Sequence, residues 1–357
     1  IKGDVAIPAN VNYQGKQYSV TSIGDNAFGG CTQVTSVSMP ASITSLGEQV
    51  FLSCTGLKRI TVDANNTVLK DVDGVLFDKS GNKLIAYPNM RAANYDIPEG
   101  TVELGAASFF MCNEIKNINF PPTLKKIGML AFGICSKMNE VTIPETVTDL
   151  GDFAFYNCTG LEKAIIKANI SELKRYMFSR CTALKEVSLP STIEFIRTWA
   201  FGSCAAMKNI KLPDNLKGIE AEAFNGCETL SEITLPASLE QIGMYTFDGC
   251  KQLKCITCLR DTPLKGAAMG AGVFENVDKI ACELKVPKGH RNEYAEAEQW
   301  GDFTRISEHD LSGISTIISQ DSNTQTTIFT INGQRLPNNT QPSHGIYIVN
   351  GKKVCVK

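Results

Sequence analysis

At 357 residues the chain is longer than a single globular core usually grows, which leaves either several domains or an elongated repeat array. Its 35 basic and 37 acidic residues give a formal charge of -2 with no basic stripe to track a phosphate backbone, so no nucleic acid partner is expected. No apolar run approaches the roughly 18 to 20 residues that span a bilayer, and no signal peptide is present.

The chain opens at Ile1 and not Met, so an N-terminal segment carrying an export signal is expected to have been removed. Ile7-Pro8 and Tyr18-Ser19-Val20 read as a degenerate first coil that closes an open end. A single period then organises the chain. Cysteines stand at Cys31, Cys54, Cys112, Cys135, Cys158, Cys181, Cys204, Cys227 and Cys250, and every step but one is 23 residues. Three positions before each is a phenylalanine (Phe28, Phe51, Phe109, Phe132, Phe155, Phe178, Phe201, Phe224, Phe247), and eight before is Ile or Leu. The unit is C-x-x-L-x-x-I-x-L-P-x-x-L-x-x-I-G-x-x-A-F-x-x-C.

Within the unit, I-x-L-P alternates as a strand with one buried side, for example Ile210 and Leu212 before Pro213. The proline ends the ladder because it has no N–H to donate. The stretch L-x-x-I-G returns to the core, and G-x-x-A-F-x-x-C is expected as a short helical or 3₁₀ turn with Phe and Cys inward. One coil cannot bury enough apolar surface to offset its own ordering, so stability must come from stacking. About eleven coils at the ~4.8 Å strand spacing predict a rod or shallow arc roughly 50 Å long. The odd total of thirteen cysteines argues against a disulfide framework, and the nine periodic ones are read as one buried column of small hydrophobes.

Two interruptions stand out. Between Cys54 and Cys112 the gap is 58 residues, and the middle coil lacks its Phe and Cys. There Val75-Leu76-Phe77 and Leu84-Ile85-Ala86-Tyr87 flank a polar turn and predict a β-hairpin within an insert at about 63–97. The coil ending at Cys181 carries Lys167 for proline, Ala164 for a larger residue and Lys174 for glycine, and local distortion is expected. Residues 255–306 drift off the period, keep a strand at Leu284-Lys285-Val286-Pro287, and predict an amphipathic helix over 292–300, as terminal caps do. Residues 307–325, rich in Ser, Thr, Asn and Gln, form a linker. In 326–357, Asn332-Gly333 and Asn350-Gly351 predict two tight hairpins in a small β module.

The repeated I-x-L-P, I-G-x-x-A-F and trailing Cys closely resemble the BspA-like bacterial leucine-rich repeats over roughly residues 1–306. The resemblance takes in the insert at Gly74-Val75-Leu76-Phe77 and the closing Val286-Pro287-Lys288-Gly289 with Tyr294 and Trp300. It implies a leucine-rich-repeat solenoid, β-rich and coiled as a curved right-handed superhelix. It also implies a secreted or surface-exposed bacterial protein acting as an adhesin on a host or cell-surface protein or glycan. Gly345 and the strand-forming residues after it resemble a C-terminal sorting module of type IX secretion, with a plain β appendage as the alternative.

Chemistry is thinly represented. His290, His309 and His344 lie outside the regular repeats, and no phosphate loop, zinc-protease helix or dinucleotide fingerprint occurs, so the chain is read as no enzyme and as needing no cofactor. Cys255-x-x-Cys258 has the spacing of half a zinc site, but Cys258 fills a core Leu slot and no second pair completes it; no metal is expected. If Val286-Pro287 aligns with Cys258 and the residue after it, Cys282 falls four residues out of step with Cys258, about 13 Å, too far for a disulfide. Asp71-x-Asp73-Gly74 lacks the later acidic ligands of a calcium loop and reads as a hairpin lead-in.

Binding is where the exposed positions point. Two outward columns flank the inward residues of each strand. The first comprises Ser36, Arg59, Asn117, Glu140, Lys163, Glu186, Asn209 and Glu232, and the second Ser38, Thr61, Asn119, Thr142, Ile165, Ser188, Lys211 and Thr234. Together they make a polar face with one apolar point at Ile165, serving either a partner or solubility alone. A third column, five before each Cys, holds Leu130, Phe153, Tyr176, Trp199, Glu222 and Tyr245. It either packs the turns together or forms an exposed aromatic ladder for protein or glycan contact. The expected molecule is a monomeric extracellular binding protein, with a structural spacer as the alternative.

Overall fold

The computed structural model describes residues 1–309 and, beyond them, the strands Ile328–Thr330, Gly345–Val349 and Lys352–Val356. The chain forms a parallel β-solenoid of about 13 turns on a period of about 23 residues, two more coils than the spacing of the cysteines suggests. A regular coil typically has a front strand at I-x-L-P and a two-residue back strand at x-I, before the glycine position. On the front, Glu140–Ile143, Lys163–Ile166 and Glu186–Ser188 pair in parallel with Glu140, Lys163 and Glu186 in one row. On the back, Lys126–Ile127 pairs with Asp149–Leu150.

The G-x-x-A-F-x-x-C segment is not helical as expected. Among the described residues helix is confined to Gly266–Ala268 and Arg291–Ala295. In residues 128–135 the bonds Ala131 N–H to Gly128 O, 3.2 Å, and Cys135 N–H to Phe132 O, 3.3 Å, close two tight turns. Their third residues, Leu130 and Ile134, have φ of 57° and 61°, the positive φ a type II turn requires there. A helical turn would spend its N–H groups on itself. Flattened, the segment aims alternate amides along the rod axis: Leu130, Phe132 and Ile134 donate to the carbonyls of Asp152, Ala154 and Tyr156 at 3.1, 2.8 and 2.7 Å. A third hydrogen-bond ladder therefore joins the coils at their turns.

The phenylalanines superimpose as the period demands. From Phe109 through Phe132, Phe155, Phe178, Phe201, Phe224 and Phe247 to Phe274, successive ring centroids lie 4.8 to 5.9 Å apart and near parallel. Trp300 and Phe303 close this spine edge-on at 5.1 Å. The cysteines form a second column, but they are more than small hydrophobes. Cys135, Cys158 and Cys181 each donate the thiol to the phenylalanine carbonyl of the preceding coil, at 3.1, 3.0 and 3.1 Å. The residues before the prolines alternate correctly throughout, yet front pairing is discontinuous. Ile210 and Leu212 are buried while residues 209–212 form no strand, which corrects the expectation there.

The distortion expected around Lys174 is confined to the back. Lys163–Ile166 keeps its register on both sides, whereas Glu172–Leu173 pairs forward with Phe195–Ile196 and not with Asp149–Leu150.

In the insert, Val75–Asp78 and Lys83–Ala86 form the expected antiparallel hairpin. A further strand, Leu69–Val72, pairs with Val75–Asp78 through Asp73-Gly74, whose φ values of 50° and 79° suit a two-residue primed turn. The Asp71 carboxylate accepts from Gly74 N–H within that hairpin at 3.2 Å and from Val62 N–H of the strand Arg59–Val62 at 2.8 Å. The middle coil has not lost its aromatic: Tyr87 stacks on Phe109 at 4.8 Å and takes the place of a spine phenylalanine. Between Phe51 and Tyr87 the spine is broken, and the core divides there into a small N-terminal cluster and a long C-terminal one.

At the N-terminus, Gly3–Ala6 pairs with Val34–Met39, and Val5, Ile7 and Val20 pack on the end of the core. The hairpin Asn10–Tyr13 with Lys16–Ser19 stands out in solvent, with Tyr18 49% exposed, so Tyr18 is no part of the cap. At the other end Glu283–Pro287 pairs with Arg305–His309, a strand that runs into the stretch expected as linker. The helix is shorter than expected, Arg291–Ala295. Thr257 lies opposite Lys285, the register that separates Cys282 from Cys258. Beyond, Gly345–Val349 and Lys352–Val356 pair across Asn350-Gly351 as expected. Ile328–Thr330 pairs with that same hairpin, at Tyr347 to Val349, and the turn expected at Asn332-Gly333 lies outside the described residues.

Candidate binding surfaces

The front columns face out as the alternation requires. Arg59, Asn117, Asn119, Glu140, Glu186, Asn209, Lys211 and Glu232 are exposed, and Lys163 and Ile165 are half-buried. They do not form one sheet. Arg59 belongs to an N-terminal group of strands, Asn117 and Asn119 to a pair, Glu140 to Glu186 to a trio, and Glu232 to a C-terminal group, while Asn209 and Lys211 lie between groups. Much of this polarity is spent internally. Lys163 Nζ pairs with Glu186 at 3.2 Å, Asn117 donates to Asn94 at 2.8 Å and Asn119 to Asp96 at 2.6 Å.

Asn94 and Asp96 are front-face positions that the cysteine spacing conceals, because Asn89 stands where the cysteine six residues before Tyr95 is expected. Tyr95-x-Ile97-Pro98, 23 residues before Ile118-x-Phe120-Pro121, is the signal that locates them. Near Arg59 the N-terminal face holds a shallow depression of about 560 Å³. There Asp4 accepts from Ser36 Oγ at 2.6 Å and Thr35 Oγ1 at 2.7 Å, and these bonds hold its carboxyl below the usual range.

The third column behaves differently. Phe153, Tyr176 and Trp199 are half-buried, and their rings stack in file, Phe153 on Tyr176 at 4.5 Å with planes 5° apart and Tyr176 on Trp199 at 6.0 Å and 4°. All three sit at positive φ, 60°, 55° and 58°, at the third position of their turns. This backbone turns the side chain away from the Phe and Cys columns and onto the outer surface of the turns. The indole of Trp199 lies across Gly202, where an added Cβ would come within 2.1 Å of it. Glu222 interrupts the file, and Tyr245, 40% exposed, resumes it beside exposed Met244. The column therefore both packs turn on turn and leaves ring edges in water.

Two of the histidines are committed to the C-terminal cap: His290 Nδ1 to the Glu293 carboxylate at 3.1 Å and His309 Nε2 to the Cys258 carbonyl at 2.8 Å. Among the described residues no cluster of His, Cys, Asp or Glu is arranged to hold a metal, and no helix is long and apolar enough to cross a membrane.

The family model described as BspA type leucine rich repeat region matches residues 11–73, 83–208 and 200–291, more than half of the chain. No curated protein matches. Among solved structures, a leucine-rich repeat protein of Eubacterium ventriosum is 27% identical with a TM-score of 0.64, covering 69% of this chain and 64% of its own. The chain thus spans less than two thirds of that protein. The pneumococcal vaccine antigen PcpA is 18% identical with a TM-score of 0.50, covering 86% and 89%. A leucine rich cell surface protein of Faecalibacterium prausnitzii is 21% identical with a TM-score of 0.47, covering 85% and 91%.

Proposed function

Because the chain belongs to the BspA type leucine-rich repeat family, we propose that it is a bacterial surface or secreted binding protein that engages a host or cell-surface protein or glycan. The observation that carries this reading is the half-exposed file Phe153, Tyr176 and Trp199, extended by Tyr245. Flat rings at about 5 Å intervals on a rigid support offer apolar area at small entropic cost, and Tyr and Trp dominate binding energy at interfaces. Arg59 and the front face from Glu140 to Glu232 supply a separate polar surface. The family implies a surface location. We read 326–357, whose strands form a three-stranded antiparallel sheet, as its sorting module.

The test is capture of host matrix proteins and a glycan array by the immobilised chain. Tyr176→Ser with Trp199→Ser lowers capture by at least tenfold on this reading. A spacer without ligand is the second reading, favoured by the internal pairing of Lys163 with Glu186 and of Asn117 with Asn94. No specific capture by the unaltered chain would establish the spacer, and unchanged capture in the double variant and after charge reversal at Glu140, Glu186 and Glu232 would overturn the aromatic file and the front face as the site.

A further inference from the structure

The break in the spine leaves a cavity of about 400 Å³ in the wall of the rod, between the turn at residues 47–54 and the turn at 105–112. Leu46, Val50, Phe51, Ile85, Tyr87 and Ser108 line it. Its walls are unequal in one respect that matters. At every other junction of regular turns, three alternate N–H groups donate to three alternate carbonyls of the next coil; Asn26, Phe28 and Gly30, for instance, donate to Glu48, Val50 and Leu52 at 3.0, 3.0 and 2.8 Å. The next turn would offer Gln49, Phe51 and Ser53 as donors. The coil that should receive them carries the hairpin in place of a turn, and among the described residues those three N–H groups meet no acceptor.

The opposite wall is served: Ser108 O accepts from Tyr87 N–H at 2.7 Å and Phe110 O from Asn89 Nδ2 at 2.8 Å. One polar atom there is left over, the Ser108 hydroxyl, in a residue 2% exposed and without a hydrogen-bond partner. Thr246, at the same turn position, places its hydroxyl on Gly243 O at 2.7 Å. A file of unpaired amide donors on buried Phe51 and half-buried Gln49 and Ser53, an orphaned buried hydroxyl and an open volume describe a site lacking its acceptor.

We propose that this notch binds a short extended segment of a partner polypeptide through its backbone, with alternate carbonyl oxygens on Gln49, Phe51 and Ser53 N–H and a polar group on Ser108 Oγ. The occupant is a peptide because the three donors keep the geometry that elsewhere in the rod receives carbonyls two residues apart, the spacing an added strand supplies. Leu46, Val50 and Phe51 give its side chains apolar ground. The site is independent of the aromatic file.

The test follows amide resonances of the full chain, labelled with nitrogen-15 and deuterium, during titration with acetyl-tetraalanine amide and separately with sodium acetate. The expected result is a saturable downfield shift of the Gln49, Phe51 and Ser53 amides with the peptide alone. It should weaken at least tenfold in Ser108→Met and in Ala107→Tyr, side chains the rod already holds at the same turn positions in Met177 and Tyr176. Unchanged unfolding midpoints identify the folded variants. No shift with the peptide, an equal shift with acetate, or undiminished binding in both folded variants would overturn the proposal. So would protection of these three amides from exchange in the free chain, since the chain itself would then fill the notch.

Discussion

Cys158 donates its thiol to the carbonyl of Phe132, one coil earlier, across 3.0 Å. The same carbonyl already takes the N–H of Cys135 at 3.3 Å. A residue at this position must be small, apolar and a donor, and cysteine meets all three demands. Cys158→Ala should therefore cost more than its loss of volume, about 1 to 2 kcal/mol by urea unfolding, with Cys158→Ser, which keeps a donor, no worse than alanine.

The buried thiols predict a response to alkali. Desolvation pushes Cys54 up to about 11 and Cys227 up to about 12, from an ordinary 9.0. The unfolded chain releases these protons first, so the stability held by the neutral thiols is complete below pH 9 and falls as pH rises through 9 toward 11 and 12. Urea midpoints should decline across that window, and the decline should shrink in Cys54→Ala with Cys227→Ala. At neutral pH a thiol reagent should label half-exposed Cys31 and Cys255 while the folded rod protects the column from Cys54 to Cys250.

Phe178 is fully buried with rings at 5.6 and 5.8 Å on either side. Phe178→Ala leaves a hole in the middle of the spine and should cost about 3 to 5 kcal/mol. Tyr176→Ala, two residues away on the outer surface, should cost under about 1.5 kcal/mol by the same measurement. Equal costs would place both rings in the core and remove the basis for an exposed file.

The glycine after the back strand is a contact requirement. A Cβ on Gly151 would lie 2.3 Å from Met129 N, on backbone that cannot yield. Gly151→Ala should destabilise by about 1 to 3 kcal/mol, the range for forcing extra atoms into a packed site. Lys174→Gly, at the corresponding position of the coil whose back strand is unpaired to Asp149–Leu150, should change stability by less than about 1 kcal/mol.

Where the lysine sits, charge replaces glycine for three coils. Lys174 and Arg197 both pair with Glu172, and Arg197 bonds Glu220 at 2.7 Å. Arg197→Met should weaken the rod by no more than about 1 kcal/mol, and the difference should narrow in high salt, because these groups are about a quarter to a third exposed.

The coil and its inward columns were legible because Phe and Cys recur together at nine positions and stacking turns a period into a line. What the period could not convey is backbone conformation. Leu130 and Ile134 are poor residues for positive φ, so the letters favour a helix where the backbone makes two tight turns with amides along the axis. Departures from the period were also hidden: Tyr87 in place of a phenylalanine, Phe274 four residues late, and Asn94 with Asp96 following Asn89, which stands where a cysteine is expected. The front columns were placed correctly, but alternation reports which side is buried and not whether neighbouring strands bond, as Ile210 and Leu212 demonstrate. The aromatic file was visible as letters, and its exposure depends on the same left-handed φ that the letters do not display.

Away from the break at the hairpin, each regular turn gives three amide hydrogens to the coil after it, which makes the rod directional, with joints of one kind. A whole 23-residue unit can be added or excised between two joints without any remaining residue changing the kind of neighbour it has. One residue more or fewer would throw every column beyond it out of line. Growth of such a molecule proceeds by duplication of entire coils, and its reach can lengthen while the chemistry of each joint stays as it was.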